Sequence, residues 1–242
     1  MYYNSTMQEF VRKIVQVIFD LFLGKHQSDD RVVNKIIGLY QDGGFTGIFA
    51  KIRFWDAPYI EMEKMIAKRG NIVDLGCGDG IFANFLTLKS KNRKVFGIEI
   101  SNERLKHADK KIPNAKFLAG DITKLQIPPA DSILLVHVLH HLLSYQSQEE
   151  LLYVIKAKLK KGGQLLIAEV EPNLSFKYLV TWFVDHFLVP WLFEKRFYSP
   201  IYFRRPIEWK KLLTSLGFVC KVITAEAGKP FTHVIFDCKL DP

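Results

Sequence analysis

Asn71-Ile72-Val73-Asp74-Leu75-Gly76-Cys77-Gly78-Asp79-Gly80 runs an apolar strand into an acid and then into three glycines at alternate positions. Glycines at 76, 78 and 80 carry no Cβ, so the backbone can take positive φ at a strand-to-helix corner and a ligand can approach it closely. Asp74 then stands at the strand's carboxyl end, beside that ligand. The pattern is that of a nucleoside-binding turn. It departs from the dinucleotide fingerprint G-x-G-x-x-G, because Ile81 stands where the third glycine belongs. An acid two residues ahead of Gly76 also disfavours a pyrophosphate, whose charge it would repel.

The segments downstream continue the pattern in order. Val95-Phe96-Gly97-Ile98-Glu99-Ile100 is an apolar strand closing on Glu99, roughly 20 residues past the glycines, where an acid meets ribose hydroxyls in nucleotide folds. The competing reading makes Glu99 a helix-capping acid before Ser101-Asn102-Glu103. Lys116 to Ile122 forms a further strand ending in Gly120-Asp121-Ile122, Asp131 to Val136 reads as a buried strand, and Lys161-Gly162-Gly163 turns into another that ends near Glu169.

Asp-Leu-Gly-Cys-Gly-Asp-Gly followed by these segments resembles the class I S-adenosylmethionine-dependent methyltransferases, over Asn71 to about Val170. The resemblance implies that Asp74, Gly76, Cys77, Gly78 and Gly80 wrap the methionine part of S-adenosylmethionine. It implies that Glu99, with Ile100 beside it, meets the ribose, that Asp121 accepts from the adenine amino group, and that Ile122 packs on the ring. It also implies an α/β, doubly wound, mostly parallel seven-stranded sheet with an antiparallel last strand. Segments 217–223 and 232–238, joined by a loop containing Gly228, match that terminal hairpin.

The chain of 242 residues, 48% hydrophobic, is long enough for one substantial core. We expect a single domain over 1–242, with 1–55 as a helical cover and 173–205 as a cap inserted after the fifth strand. That insertion holds Phe176, Trp182, Phe187, Trp191, Tyr198 and Phe203 among its aromatic residues, and would roof an apolar acceptor site. Asp185, His186 and Pro190 break it up too often for a membrane span. Near the N-terminus, Phe10, Ile14, Val17, Ile18 and Leu21 share one helical stripe, which either packs on the core or touches a membrane surface. At the approach to a helix near Pro58, Asp56 reads as its N-cap, and Trp55 as a pocket wall or core packing.

Three cysteines at 77, 220 and 238 show no paired spacing, and no leader opens the chain, so a reducing cytoplasm is expected, with peripheral membrane contact left open. Cys77 reads as a small apolar filler. The formal net charge of +9 is spread over helix ends, as in 89–94, 106–111 and 156–161, without interleaved aromatics. That disfavours nucleic acid as the partner and leaves a small, lipophilic or aromatic acceptor. Oligomeric state is not legible.

His137-Val138-Leu139-His140-His141-Leu142 follows the fourth strand. Beside small-molecule O-methyltransferases, whose fourth strand leads into an apolar pair and a catalytic histidine, the match falls on His140 as the base. His141 stands where that subfamily has an acid, and is the second candidate. An equal reading leaves both as helix-capping or pocket-lining residues. His137 is read as a cofactor neighbour. No metal is expected, since no compact ligand spacing appears. Oxygen methylation is favoured; RNA or protein methylation and a noncatalytic scaffold are the rivals.

Overall fold

A computed structural model describes residues 13, 30–41, 45–172, 182, 186, 200–225, 229 and 232–240. The expected stripe at 10–21 and most of the aromatic insertion lie outside the described residues.

Helices α1 (Arg31–Tyr40), α2 (Phe45–Asp56) and α3 (Tyr59–Met65) precede strand β1 (Gly70–Leu75). There follow α4 (Ile81–Lys89), β2 (Arg93–Glu99), α5 (Asn102–Ala108), β3 (Ala115–Ala119) and β4 (Ala130–Val136). A short 3-10 turn (Leu139–His141) leads to α6 (Tyr145–Lys158), β5 (Leu159–Val170), α7 (Pro206–Ser215), β6 (Phe218–Ala225) and β7 (His233–Leu240). The strands form one seven-stranded sheet in the order β3-β2-β1-β4-β5-β7-β6. All neighbours from β3 to β5 pair parallel, while β7 runs antiparallel to both β5 and β6. This is the doubly wound sheet with an antiparallel last strand that the sequence implies.

Strands buried on both faces need continuous apolar runs. Ile72, Val73 and Leu75 of β1 and Ile133, Leu134 and Leu135 of β4 supply them, all at 2% exposure or less. Each face packs its own core. Leu152 and Ile155 of α6 join Trp209 and Leu213 of α7 on one. Ile36 and Tyr40 of α1, Met62 of α3 and Phe82, Phe85 and Leu86 of α4 fill the other. Side-chain caps start the helices: Asp30 accepts from the Val32 N–H, Ser101 from Arg104 and Ser144 from Ser147. A buried cation ties α3 to β2, as the Arg93 guanidinium donates to Glu63 Oε1 at 2.7 Å, Ile66 O at 2.7 Å and Ala67 O at 2.8 Å. With partners on every side, that charge is tolerated at 0% exposure.

Three local expectations are corrected. Asp56 ends α2 and does not cap the helix that follows; its carboxylate is engaged by His233, 177 residues away. Strand β5 starts at Leu159, ahead of the glycine pair at 162 and 163, because Leu159 already pairs with Ala130 before a register shift. Cys220 and Cys238 are bonded, with an S–S distance of 1.96 Å, leaving Cys77 as the free cysteine. Their pairing follows from register, since they lie opposite each other on β6 and β7. The expected reducing compartment loses its cysteine argument.

Strand order reverses between β1 and β4, where the crossovers leave a crevice at the carboxyl ends of the strands. The turn after β1 and the histidine segment after β4 flank that point.

Candidate active site

The turn from Gly76 to Gly80 is closed across to β2, where Ile98 O accepts from the Gly76 and Cys77 N–H groups at 2.8 and 3.0 Å. Gly78 has φ 56°. A Cβ there would lie 2.3 Å from Arg104 Nη2, so only glycine lets the guanidinium rest on the turn. Arg104 also grips Asp79, with Nε and Nη2 at 3.1 and 2.9 Å from Oδ2. Tyr40 Oη donates to Asp79 O at 2.7 Å and accepts from Asn84 Nδ2 at 2.8 Å, so α1 and α4 hold the turn from behind.

Glu99 is 6% exposed, and its carboxylate accepts the Gly78 N–H at 2.8 Å and the Ser101 N–H at 2.9 Å. It therefore joins the turn to the start of α5. Each oxygen keeps lone-pair capacity for a hydroxyl donor. Ile100, next along, is 67% exposed. An apolar side chain left so open at the end of a central strand is an available packing surface.

Asp74 lies deeper, at 3% exposure, and its Oδ2 has no hydrogen-bond partner among the described residues. Burial and then the charge of Glu99 push its carboxyl up to about 7, against a smaller opposing pull from Arg53. Arg53, on α2, donates from Nε to Tyr59 Oη at 3.2 Å and from Nη1 to His137 Nδ1 at 3.0 Å. Its Nη2 has no partner among the described residues. An orphaned carboxylate oxygen and an open guanidinium nitrogen at the same strand ends match the ammonium and carboxylate of an amino acid. The methionine end of S-adenosylmethionine carries both groups, so these residues fit that cofactor.

Asp121 stands past the end of β3, where its Oδ1 accepts from the Thr123 N–H at 2.9 Å and the Thr123 hydroxyl at 2.6 Å. The Thr123 hydrogen bond, with Lys124 assisting, keeps its carboxyl below the usual range. Ile122 beside it is buried at 8%. Cys77 is half-buried, and burial followed by the charge of Asp74 pushes its thiol well up. It is a packing group beside Gly97 and no nucleophile.

The three histidines after β4 part company. His137 adopts φ 56°, a left-handed conformation uncommon outside glycine, while its N–H donates to Ala168 O at 2.9 Å. Its ring bridges Arg53 and His233, with Nε2 at 3.0 Å from His233 Nδ1. His140 is 1% exposed, its Nδ1 bonded to Glu169 Oε2 and its ring stacked on Phe203 at 4.9 Å. Glu169 Oε1 also accepts the Leu139 N–H at 2.9 Å, which fixes the turn. His141 is half-buried, and no hydrogen bond engages its ring among the described residues. Burial first, then the charges of His140, Arg104 and Arg53, hold its basicity well below the ordinary value. Among the described residues, no group of three or more His, Cys, Asp or Glu side chains is placed to hold a metal ion.

Sequence reading passed over Arg53, Glu169 and His233 as site residues. Arg53 and Asp56 sit one helical turn apart on α2, a spacing that signals a shared face, but nothing local says which strand end it meets.

Residues 73–167 match the methyltransferase domain family. The (S)-coclaurine N-methyltransferase of Papaver somniferum is 32% identical over 182 residues, covering 72% of this chain and 49% of that enzyme. The trans-aconitate 2-methyltransferase of Paracidovorax citrulli is 29% identical over 102 residues, 42% of this chain and 39% of that one. The chain thus spans about half or less of the length of these curated relatives. Human N-acetylserotonin methyltransferase, solved with the cofactor, superposes with a TM-score of 0.59 at 20% identity, over 89% of this chain and 61% of that one. A methyltransferase of Aquifex aeolicus gives 0.59 at 15% identity, over 86% and 98%. Sheet order and turn define a Rossmann-like, nucleoside-binding protein. Together with the domain match, they identify residues 73–167 as a class I S-adenosylmethionine-dependent methyltransferase domain.

Proposed function

We propose that the chain transfers a methyl group from S-adenosylmethionine to the hydroxyl of a small, apolar or aromatic molecule. The observation that carries the cofactor half is the orphaned Asp74 Oδ2 set against the open Arg53 Nη2. In this reading Asp74 takes the methionine ammonium and Arg53 its carboxylate. Glu99 takes the ribose hydroxyls, Asp121 the adenine amino group, and Ile100 and Ile122 flank the base. Gly76, Cys77, Gly78 and Gly80 supply the backbone wall, and His137 lies behind it. The cofactor supplies a methyl already activated on a sulfonium, so the protein must align the acceptor and accept its proton.

His141 suits the proton transfer better than His140. Its ring is neutral, partly open and without a hydrogen bond among the described residues, whereas His140 is 1% exposed. A base weakened by burial matches an acidic hydroxyl such as a phenol. His140, held by Glu169 and Phe203, supports the neighbouring ring at a centroid distance of 4.2 Å. An amine acceptor is the second reading, favoured by likeness to the coclaurine enzyme. A cytoplasmic protein touching membranes at its periphery stays part of the proposal, in keeping with lipophilic acceptors. No helix among the described residues is long and apolar enough to cross a membrane.

The test is transfer of a labelled methyl group from S-adenosylmethionine into matched phenol and amine panels. Labelled phenol ethers support the proposal. Labelled amines alone move it to nitrogen, and an unlabelled panel with intact cofactor binding returns it to a scaffold.

A further inference from the structure

A line of hydrogen bonds leaves the site sideways through three elements. Arg53 Nη1 meets His137 Nδ1 at 3.0 Å, His137 Nε2 meets His233 Nδ1 at 3.0 Å, and His233 Nε2 meets Asp56 Oδ1 at 2.9 Å. Asp56 Oδ2 closes the circuit 3.7 Å from Arg53 Nη1. The two imidazole planes lie within 18° of parallel with centroids 4.7 Å apart. His233 opens β7 opposite Val170 and Ala225, so the antiparallel strand delivers its ring to the edge where the parallel strands end. It is fully buried.

The direction of every bond in this line is dictated by chemistry. A guanidinium donates and cannot accept. His137 Nδ1 must therefore accept, which puts its hydrogen on Nε2. That hydrogen goes to His233 Nδ1, and the His233 hydrogen then sits on Nε2 and goes to the Asp56 carboxylate. Reversing any bond would need a second donor facing Arg53. The left-handed backbone of His137, at φ 56°, is the local strain that brings its ring into line.

We propose that His233 and Asp56 are positioning residues for the cofactor's carboxylate, acting through His137 to fix the Arg53 guanidinium with Nη2 open to the ligand. This rests on the cofactor reading given above. Neither residue touches the ligand. With Nε held by Tyr59 and Nη1 by His137, the guanidinium plane cannot turn, and orienting one nitrogen beforehand saves the ordering cost at binding.

The experiment uses the full chain with 15N-labelled histidine and reads both nitrogens of each ring near neutral pH, alongside calorimetric titration with S-adenosylmethionine. In the wild type, His137 and His233 should both be neutral with hydrogen on Nε2. His233→Phe removes the acceptor of the His137 Nε2–H, so the His137 ring should lose its fixed position against Arg53 and the dissociation constant should rise about tenfold. kcat at saturation should stay within about twofold. Asp56→Asn keeps an acceptor oxygen and His233→Gln keeps one acceptor and one donor, so both should hold affinity within about threefold. These two carry the comparison against Asp56→Leu if His233→Phe does not fold. An Nδ1–H or doubly protonated His137 in the wild type overturns the proposal, as does equal loss in Asp56→Asn and Asp56→Leu. A wild type with the expected tautomers but no affinity for S-adenosylmethionine refutes the cofactor reading, and with it the positioning role, while leaving the hydrogen-bond assignment in place.

Discussion

Asp74, one residue before the end of β1, and Glu99, the last residue of the adjacent parallel strand β2, lie close enough that the Glu99 charge adds to burial in pushing the Asp74 carboxyl up to about 7. Near neutral pH, the unliganded site is therefore partly protonated at Asp74. A ligand ammonium favours the carboxylate, so binding must expel that proton. Affinity for S-adenosylmethionine should rise between about pH 6 and 8 and level off above the Asp74 transition. Titrations in two buffers of different ionisation enthalpy should report proton release near neutrality, and Asp74→Asn should abolish it. The sign is opposite for stability without ligand. A folded-state value raised above the ordinary 3.8 means the native state holds the extra proton, so this group's contribution falls as pH climbs from there to about 7.

Glu99 and Asp121 should differ when truncated. Asp121→Ala removes one half-buried, Thr123-held carboxylate and should weaken cofactor binding by about 1.5 to 3 kcal/mol with little change in melting temperature. Glu99→Ala should cost at least as much affinity and also lower the melting temperature, because the Gly78 and Ser101 N–H groups lose their acceptor. Calorimetric titration paired with thermal unfolding separates the two. Unchanged affinity in both variants would contradict their assignment to the cofactor.

Substitution at the paired histidines should split catalysis from folding. His141→Ala should leave cofactor affinity intact and reduce kcat by about 10² to 10⁴ if the acceptor is a hydroxyl. His140→Ala strands the buried Glu169 carboxylate and should destabilise the fold by about 3 kcal/mol or more. Because His141 is held well below its ordinary basicity, kcat should show no descending limb around pH 6.5 on the acid side. A limb there would return the role to a different group.

The Cys220–Cys238 bond joins strands 18 residues apart in sequence. Thiol titration of the unfolded, unreduced protein should find one reactive sulfur, from Cys77, and three after reduction. Reduction should cost about 3 kcal/mol by the loop-entropy relation. Three thiols without reduction would show that the pair is not bonded.

The sheet was legible because its determinants are local. Ile72 to Leu75 and Ile133 to Val136 read as buried strands from composition alone, and the glycines at 76, 78 and 80 announce the turn that all three adopt with φ between 56° and 70°. Asp74 and Glu99 were legible for the same reason, each closing an apolar run. Arg53, His233 and Glu169 were not, because their roles depend on which strand ends meet in space. Asp56 shows the limit plainly: before Pro58 it has the composition of a helix cap, yet a partner 177 residues downstream captures it. Cys220 and Cys238 likewise become neighbours only through the β6–β7 register.

The central claim is that Asp74 and Arg53 receive the two charges of a methionine end. Calorimetric titration of the wild type and Arg53→Met with S-adenosylmethionine, with NAD as the control ligand, tests it most directly. The account predicts micromolar binding of S-adenosylmethionine to the wild type, no binding of NAD, and a loss of about ten- to hundredfold in Arg53→Met. Equal affinity in the two proteins, or binding of NAD in place of S-adenosylmethionine, would contradict it.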